Sequence, residues 1–251
     1  MDLIPGYLQG LSKMFITYPA DVIKIKMQTR NYKNIRDCFE HILKKDKYIF
    51  FRGIKLPLLT FPIERAISYK IFEDLNKKNH NPYISSIFSS LIGSFVNVPV
   101  QFFTTNAINM KKSDYSNISN LIKENLKNKN NFYKGYFIET SRSVTGSVIF
   151  LGTYGNLRNI LKNKSENHIA ISSILSISLT WLLTFPLDTI RVEKQITNET
   201  IREIINRRHN RWGFFHFYKG ITPVLIRSFP STLIGMYVYE YSRDLVNKSL
   251  E

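Results

Sequence analysis

Two long stretches of the chain carry no charge at all. Lys, Arg, Asp and Glu are missing from Asn79 to Met110 and again from Asn167 to Leu187, and either stretch can cross a hydrocarbon core of ~30 Å as a helix of about twenty residues. Four other apolar segments are interrupted by charges, Glu64 and Arg65 in one and Arg142 in another. A helix beside a water-filled cavity needs only one lipid-facing stripe, so such interruptions are compatible with spanning. The pattern predicts an all-α membrane protein with six transmembrane helices, at about 3–29, 56–76, 83–111, 136–160, 169–196 and 222–246.

Loops between paired spans, around 30–55, 112–135 and 197–221, are rich in Lys and Arg, and an even number of spans puts all three on one side. Basic loops mark the side from which they are not translocated. Within each loop apolar residues recur at helical spacing: Ile35, Phe39 and Ile42, then Ile118, Ile122 and Leu126, then Ile201, Ile204 and Ile205. Each set predicts a short amphipathic helix lying on the membrane surface.

One signature occurs three times. Pro19-Ala20-Asp21-Val22-Ile23-Lys24, Pro99-Val100-Gln101-Phe102-Phe103-Thr104 and Pro186-Leu187-Asp188-Thr189-Ile190-Arg191 have prolines 80 and 87 residues apart. An aromatic-base-glycine triplet follows each, Phe51-Arg52-Gly53, Tyr133-Lys134-Gly135 and Tyr218-Lys219-Gly220, and nineteen positions beyond each glycine stands an aromatic, Phe72, Tyr154 or Tyr239. A fixed period of this length divides the chain into three related units, 1–80, 81–166 and 167–251.

These motifs resemble the repeats of the mitochondrial carrier family, from about Gly6 to about Arg243. The resemblance implies three repeats around a pseudo-threefold axis, each with two spans and a surface helix on the matrix side. It also implies an alternating-access transporter in the mitochondrial inner membrane, acting as a monomer and targeted by internal signals, with both termini opposite the matrix. Each proline removes a backbone hydrogen bond and can kink its helix, so Pro19, Pro99 and Pro186 would swing three helix ends together. There the acid of one repeat would meet the base of another in a matrix gate. Taken singly, Asp21 with Lys24 or Asp188 with Arg191 would read as ordinary helix-end charges; three copies at one period decide against that.

The second repeat departs from the pattern, with Gln101 for the acid and Thr104 for the base. One direction of pairing leaves Asp188 with Lys24, the other Asp21 with Arg191. Gln28 and Gln195, nine after their prolines, match the family's bracing glutamines, whereas Ile108 cannot brace. On the opposite side, the resemblance implies a cytoplasmic gate of Phe72, Glu73, Tyr154, Arg158, Tyr239, Glu240 and Arg243, with Gly155 and Asn76 out of pattern. Two thinned gates lead us to expect easy interconversion and some uniport beside exchange.

Substrate contacts in the resembling family fall seven residues after each triplet glycine, here at Thr60, at Arg142 with its neighbour Ser143, and at Arg227. An arginine near mid-bilayer costs ~2.5–3.5 kcal/mol on insertion scales and marks a pathway by default. Forked guanidinium groups suit phosphate or carboxylate, so the expected cargo is a small anion, a nucleotide or deoxynucleotide first and a di- or tricarboxylate next. The pairs Arg52-Gly53, Lys134-Gly135 and Lys219-Gly220 match cardiolipin sites of the family.

Composition adds three constraints. A net charge of +16 raises nucleic-acid binding as another class, a basic membrane-associated binder or scaffold, but the uncharged stretches argue against it. Cys38 is the single cysteine, so no disulfide forms within the chain. With His41 it offers two metal ligands without partners, too few for a site, and both read as surface-helix residues. No nucleophilic triad or phosphate-binding loop appears, so neither an enzyme, a metal nor a cofactor beyond structural cardiolipin is expected. The abundance of Asn, Lys and Ile fits an AT-rich coding genome, compatible with a parasite, a protist or a large DNA virus.

Overall fold

Residues 3–30, 32–77, 81–110, 133–161 and 168–231 are described in the computed structural model, and among them there is no strand. Helix α1 is Leu3–Thr29, α2 Ile35–Asp46, α3 Lys55–Lys77, α4 Pro82–Asn109, α5 Tyr136–Leu161, α6 His168–Ile196 and α7 Ile201–Trp212. A last helix, α8, runs over 221–231. The predicted spans agree with α1, α3, α4, α5 and α6 to within two residues. Among the described residues, α4 and α6 are long and apolar enough to cross a membrane by composition, the other long helices being interrupted by charge as the sequence pattern anticipates. The apolar pattern at Ile118, Ile122 and Leu126 lies outside the described residues, as does everything beyond 231.

Local chemistry accounts for the helix ends. Pro82 at the first position of α4 has the right φ and no N–H to orphan, and the Asn81 side chain accepts from the Tyr83 N–H at 2.9 Å. A reciprocal capping box of Thr200 and Glu203 opens α7, and Gly213, at φ 75°, closes it. Pro19, Pro99 and Pro186 all lie inside unbroken helices.

Polarity is distributed inside out along the long helices. Leu59 and Ile63 on α3, Phe88, Ile92 and Phe95 on α4, and Leu175, Leu179 and Leu183 on α6 are exposed, whereas Ser86, Ser89 and Ser94 on α4 and Ser172, Ser176 and Thr184 on α6 are buried. Small polar groups let the helices approach: a Cβ on Gly93 would sit 2.8 Å from Ser68 Oγ, and Ser89 donates to the Ser68 carbonyl at 2.7 Å. Large apolar stripes facing outward over a lining of small residues are what lipid, rather than water, stabilises.

Apolar burial concentrates at the end that carries the basic loops, here the basic end. Tyr18, Val22, Ile25 and Met27 of α1 pack there with Cys38 and Ile42 of α2, Ile49, Phe50 and Ile54 before α3, Ile108 of α4 and Val192 of α6. The face that α2 buries is therefore set by Cys38 and Ile42, and Phe39 stays exposed. This corrects the placing of Cys38 on a surface: burial pushes its thiol up to about 11. Ile204 of α7 is buried against Ile138, Ile190 and Phe217.

The three triplet glycines have one geometry. Gly53, Gly135 and Gly220 adopt φ of 79°, 80° and 91°, left-handed values that other residues rarely reach. Each presses on a different helix at an equivalent place. A Cβ on Gly53 would lie 3.8 Å from the Thr104 backbone, on Gly135 3.6 Å from Arg191 Cγ, and on Gly220 3.2 Å from the Lys24 carbonyl. Those three positions are the base positions of the proline motif, so the three glycines pack on α4, α6 and α1 at matching places.

Candidate functional site

Helices α1, α4 and α6 meet at the basic end through a buried polar network. Lys24 Nζ lies 2.6 Å from Asp188 Oδ2, both nearly inaccessible, and Gln28 Nε2 donates to the same oxygen at 3.0 Å and to Thr189 Oγ1 at 3.1 Å. Asp188 meets Lys24, one of the two pairings open in the sequence, and not Asp21 with Arg191. Arg191 instead donates from Nη2 to Asp188 Oδ1 at 3.0 Å, within its own helix, and from Nη1 to Gln101 Oε1 at 2.6 Å and Gln195 Oε1 at 3.2 Å. Polar groups of α4 complete the ring. Thr105 donates to Gln195 Oε1 at 3.1 Å, and Thr29 to Asn109 Oδ1 at 2.8 Å. Thr104 donates back to the Val100 carbonyl of its own helix.

Above this ring, toward mid-span, the two expected substrate arginines are already paired. Arg227 makes a bidentate contact with Asp21, both N···O distances 3.2 Å. Arg142 Nε donates to Glu139 Oε2 at 2.9 Å, its Nη2 bonds to the other carboxylate oxygen, and Ser143 Oγ donates there at 3.2 Å. In this arrangement acids occupy both guanidinium forks. Thr60 stands outside the network, its hydroxyl donating to the Leu56 carbonyl one turn back.

An aromatic ring gathers these cations. Lys24 Nζ, Arg142 Cζ and Arg227 Cζ lie 5.1, 5.5 and 5.7 Å from the Trp181 ring centroid, so side chains of α1, α5 and α8 converge on one residue of α6. Cation–π attraction of this kind is worth roughly 2 kcal/mol per desolvated contact. The local charge nearly balances, with Lys24, Arg142, Arg191 and Arg227 set against Asp21, Glu139 and Asp188.

Sequence reasoning did not single out Glu139, Trp181, Glu193 or Arg208. Glu139 had a signal, since it precedes Arg142 by three on one helix face. Trp181 sits in an uncharged stretch where an aromatic looks like lipid-facing bulk. Arg208, 1% exposed, was hidden in a charge-rich loop. It donates to the Gln28 carbonyl at 2.6 Å and pairs with Glu193 at 2.8 Å, closing the end of α1 onto α6.

The triplet bases differ in their burial. Arg52 is buried and donates to the Met110 carbonyl at 2.8 Å, and Lys134 reaches Asn198 Oδ1 at 2.6 Å. These two side chains reach neighbouring helix ends. Lys219 is half-buried, and that burial, with the charge of Arg208 adding to it, lowers its pKa. Of the expected cytoplasmic gate, Phe72 is half-buried, Tyr154 stacks on Phe150 at 5.6 Å and Arg158 is exposed. The side chain of Glu73 and all of Tyr239, Glu240 and Arg243 lie outside the described residues.

Among the described residues, long helices with apolar outer faces enclose a buried charged network, an arrangement that suits a membrane transporter. A family model for mitochondrial carrier proteins matches residues 1–82 and 168–250, and the chain belongs to that family. Its members are transporters and not enzymes. Mitochondrial substrate carrier family protein S of Dictyostelium discoideum is 24% identical over 95% of this chain and 95% of its own length. The mitochondrial ornithine transporter 1 of Schizosaccharomyces pombe is 24% identical over 91% of this chain and 87% of its own. The mitochondrial 2-oxodicarboxylate carrier of Bos taurus is 22% identical over 96% of this chain and 92% of its own.

Proposed function

We propose that this protein exchanges small carboxylate-bearing metabolites across the mitochondrial inner membrane by alternating access, in a state closed at its matrix end. Three units, 1–80, 81–166 and 167–251, would supply six spans around one axis, with the Lys24–Asp188 ring as the matrix gate. The cytoplasmic gate would form from Phe72, Glu73, Tyr154, Arg158, Tyr239, Glu240 and Arg243. Cardiolipin would bind at the pairs Arg52-Gly53, Lys134-Gly135 and Lys219-Gly220, and a monomer would suffice.

The observation that carries the substrate class is the near balance of charge in the ion-pair network that reaches Trp181 through Lys24, Arg142 and Arg227. Four cations against three acids leave about one positive charge, which suits a carboxylate or an amino acid better than a polyphosphate of several charges. The relatives named for ornithine and 2-oxodicarboxylates agree with that class. A nucleotide, the first expectation from the arginines alone, ranks second, favoured by the Trp181 ring as a stacking surface.

A ligand that binds the folded state raises its melting temperature. A thermal-shift panel of carboxylates, amino acids, ribonucleotides, deoxynucleotides and phosphate on detergent-purified protein tests the reading. Stabilisation by carboxylates or amino acids that disappears in Arg227→Ala supports it; stabilisation by nucleotides alone overturns the substrate class.

A further inference from the structure

Helix α4 has lost both charges of its gate motif, yet Arg191, the base that an acid at position 101 would face, is not left to Gln101 alone. Gln101 Oε1 accepts from Arg191 Nη1 at 2.6 Å, and its Nε2 donates to Glu139 Oε1 at 3.1 Å. Glu139 Oε2 lies 3.3 Å from Arg191 Nε. The amide is therefore a bridge between a base on α6 and a carboxylate on α5. Glu139 is 1% exposed, and a carboxylate so far from water persists only when paired.

Resting on the alternating-access reading, we propose that Glu139 is the gate acid of the second repeat, moved from α4 to α5, and a positioning residue for transport. One carboxylate holds both Arg191, in the gate, and Arg142, at the mid-span contact point. A substrate carboxylate that takes over Arg142 leaves Glu139 with fewer cations and loosens its hold on the ring, so binding and gate opening share a group. Asp21 mirrors this arrangement. Its partner in the cyclic order is position 104, a threonine here, and its charge turns to Arg227 in a two-point contact. The two charges missing from α4 are thus answered by two arginine pairs on α5 and α8, and each of those pairs draws a substrate contact point into the gate.

The test is a charge transfer within the full-length protein. Vesicles reconstituted with parent, Glu139→Gln, Gln101→Glu and the double variant are assayed for exchange and uniport of labelled 2-oxoglutarate, ornithine and ATP, and the same proteins are melted in detergent. Glu139→Gln raises uniport relative to exchange by about tenfold or more and lowers the melting temperature. Adding Gln101→Glu to it returns both toward the parent, because a carboxylate again faces Arg191. Gln101→Glu alone, with two carboxylates side by side, is less stable than the parent. A purely structural Glu139 would lower the melting temperature without changing the uniport-to-exchange ratio, and that outcome overturns the proposal. A parent that moves none of the probes contradicts the carrier reading itself, and the melting data then decide alone: mutual rescue supports the displaced acid, and additive losses overturn it.

Discussion

The basic ends of α1 and α6 differ from that of α4 in how they are held. The first two carry their own ions, Asp21 and Lys24, Asp188 and Arg191, whereas α4 offers amides and hydroxyls, Gln101, Thr105, Asn106 and Asn109. All three are nonetheless tied together, α4 through Thr105 to Gln195 and through Asn109 to Thr29. Neutral hydrogen bonds contribute about 0.5–1.5 kcal/mol each, while breaking one side of a buried ion pair costs about 3–5 kcal/mol. A ring can therefore lose charge at one corner, provided that the ions left behind find new partners. Here Glu139 and Arg227 are those partners, and the charge missing from α4 is offset by ion pairs from α5 and α8.

The largest expected effect separates the ionic corners from the neutral one. Asp188→Asn removes the acid shared by Lys24, Arg191 and Gln28 and should cost about 3–5 kcal/mol, seen as a fall in detergent melting temperature of many degrees. Thr105→Val removes one neutral bond on α4 and should cost about 0.5–1.5 kcal/mol. Equal losses for the two would break the comparison.

Between these extremes lie the docking glycines. A non-glycine residue at their left-handed φ costs roughly 1–2 kcal/mol anywhere, but the space differs. Gly220→Ala places a methyl 3.2 Å from the Lys24 carbonyl and Gly53→Ala one 3.2 Å from Ala107 Cβ, whereas the nearest atom to Gly135 is 3.6 Å away. Melting temperatures should fall more for Gly220→Ala and Gly53→Ala than for Gly135→Ala, and the reverse order would contradict the packing described.

The smallest effect is chemical. With burial raising its thiol to about 11, Cys38 stays protonated at neutral pH and should react slowly with maleimide until the protein is unfolded. Its labelling should increase as pH rises, because only the thiolate attacks. Fast labelling of folded protein at neutral pH would show that α2 does not bury Cys38 against α1.

Much of this architecture was legible before any coordinates. Uncharged runs marked α4 and α6, and the proline and glycine motifs placed the base positions and the docking turns in one register. What could not be read was which partner each charge would choose. Arg142 and Arg227 were placed as contact points, but spacing locates a side chain on a helix and not the acid across from it. Asp21 came from 206 positions away in the chain to meet Arg227, and a replacement acid four residues beyond Gly135 breaks the motif that would have revealed it. The partner of Arg52 was hidden for a similar reason: a base at a helix start suits a phosphate, but spacing does not show that the end of α4, with its Met110 carbonyl, lies within reach.

The central claim is that substrate carboxylate and the protein's own acids compete for the same arginines. The most direct measurement is counter-exchange of labelled 2-oxoglutarate, ornithine and ATP in vesicles containing the parent or Arg227→Ala. The account predicts exchange of a carboxylate or amino acid by the parent at a rate well above that of ATP, and its loss in the variant. Faster exchange of ATP, or exchange that survives Arg227→Ala undiminished, would contradict it.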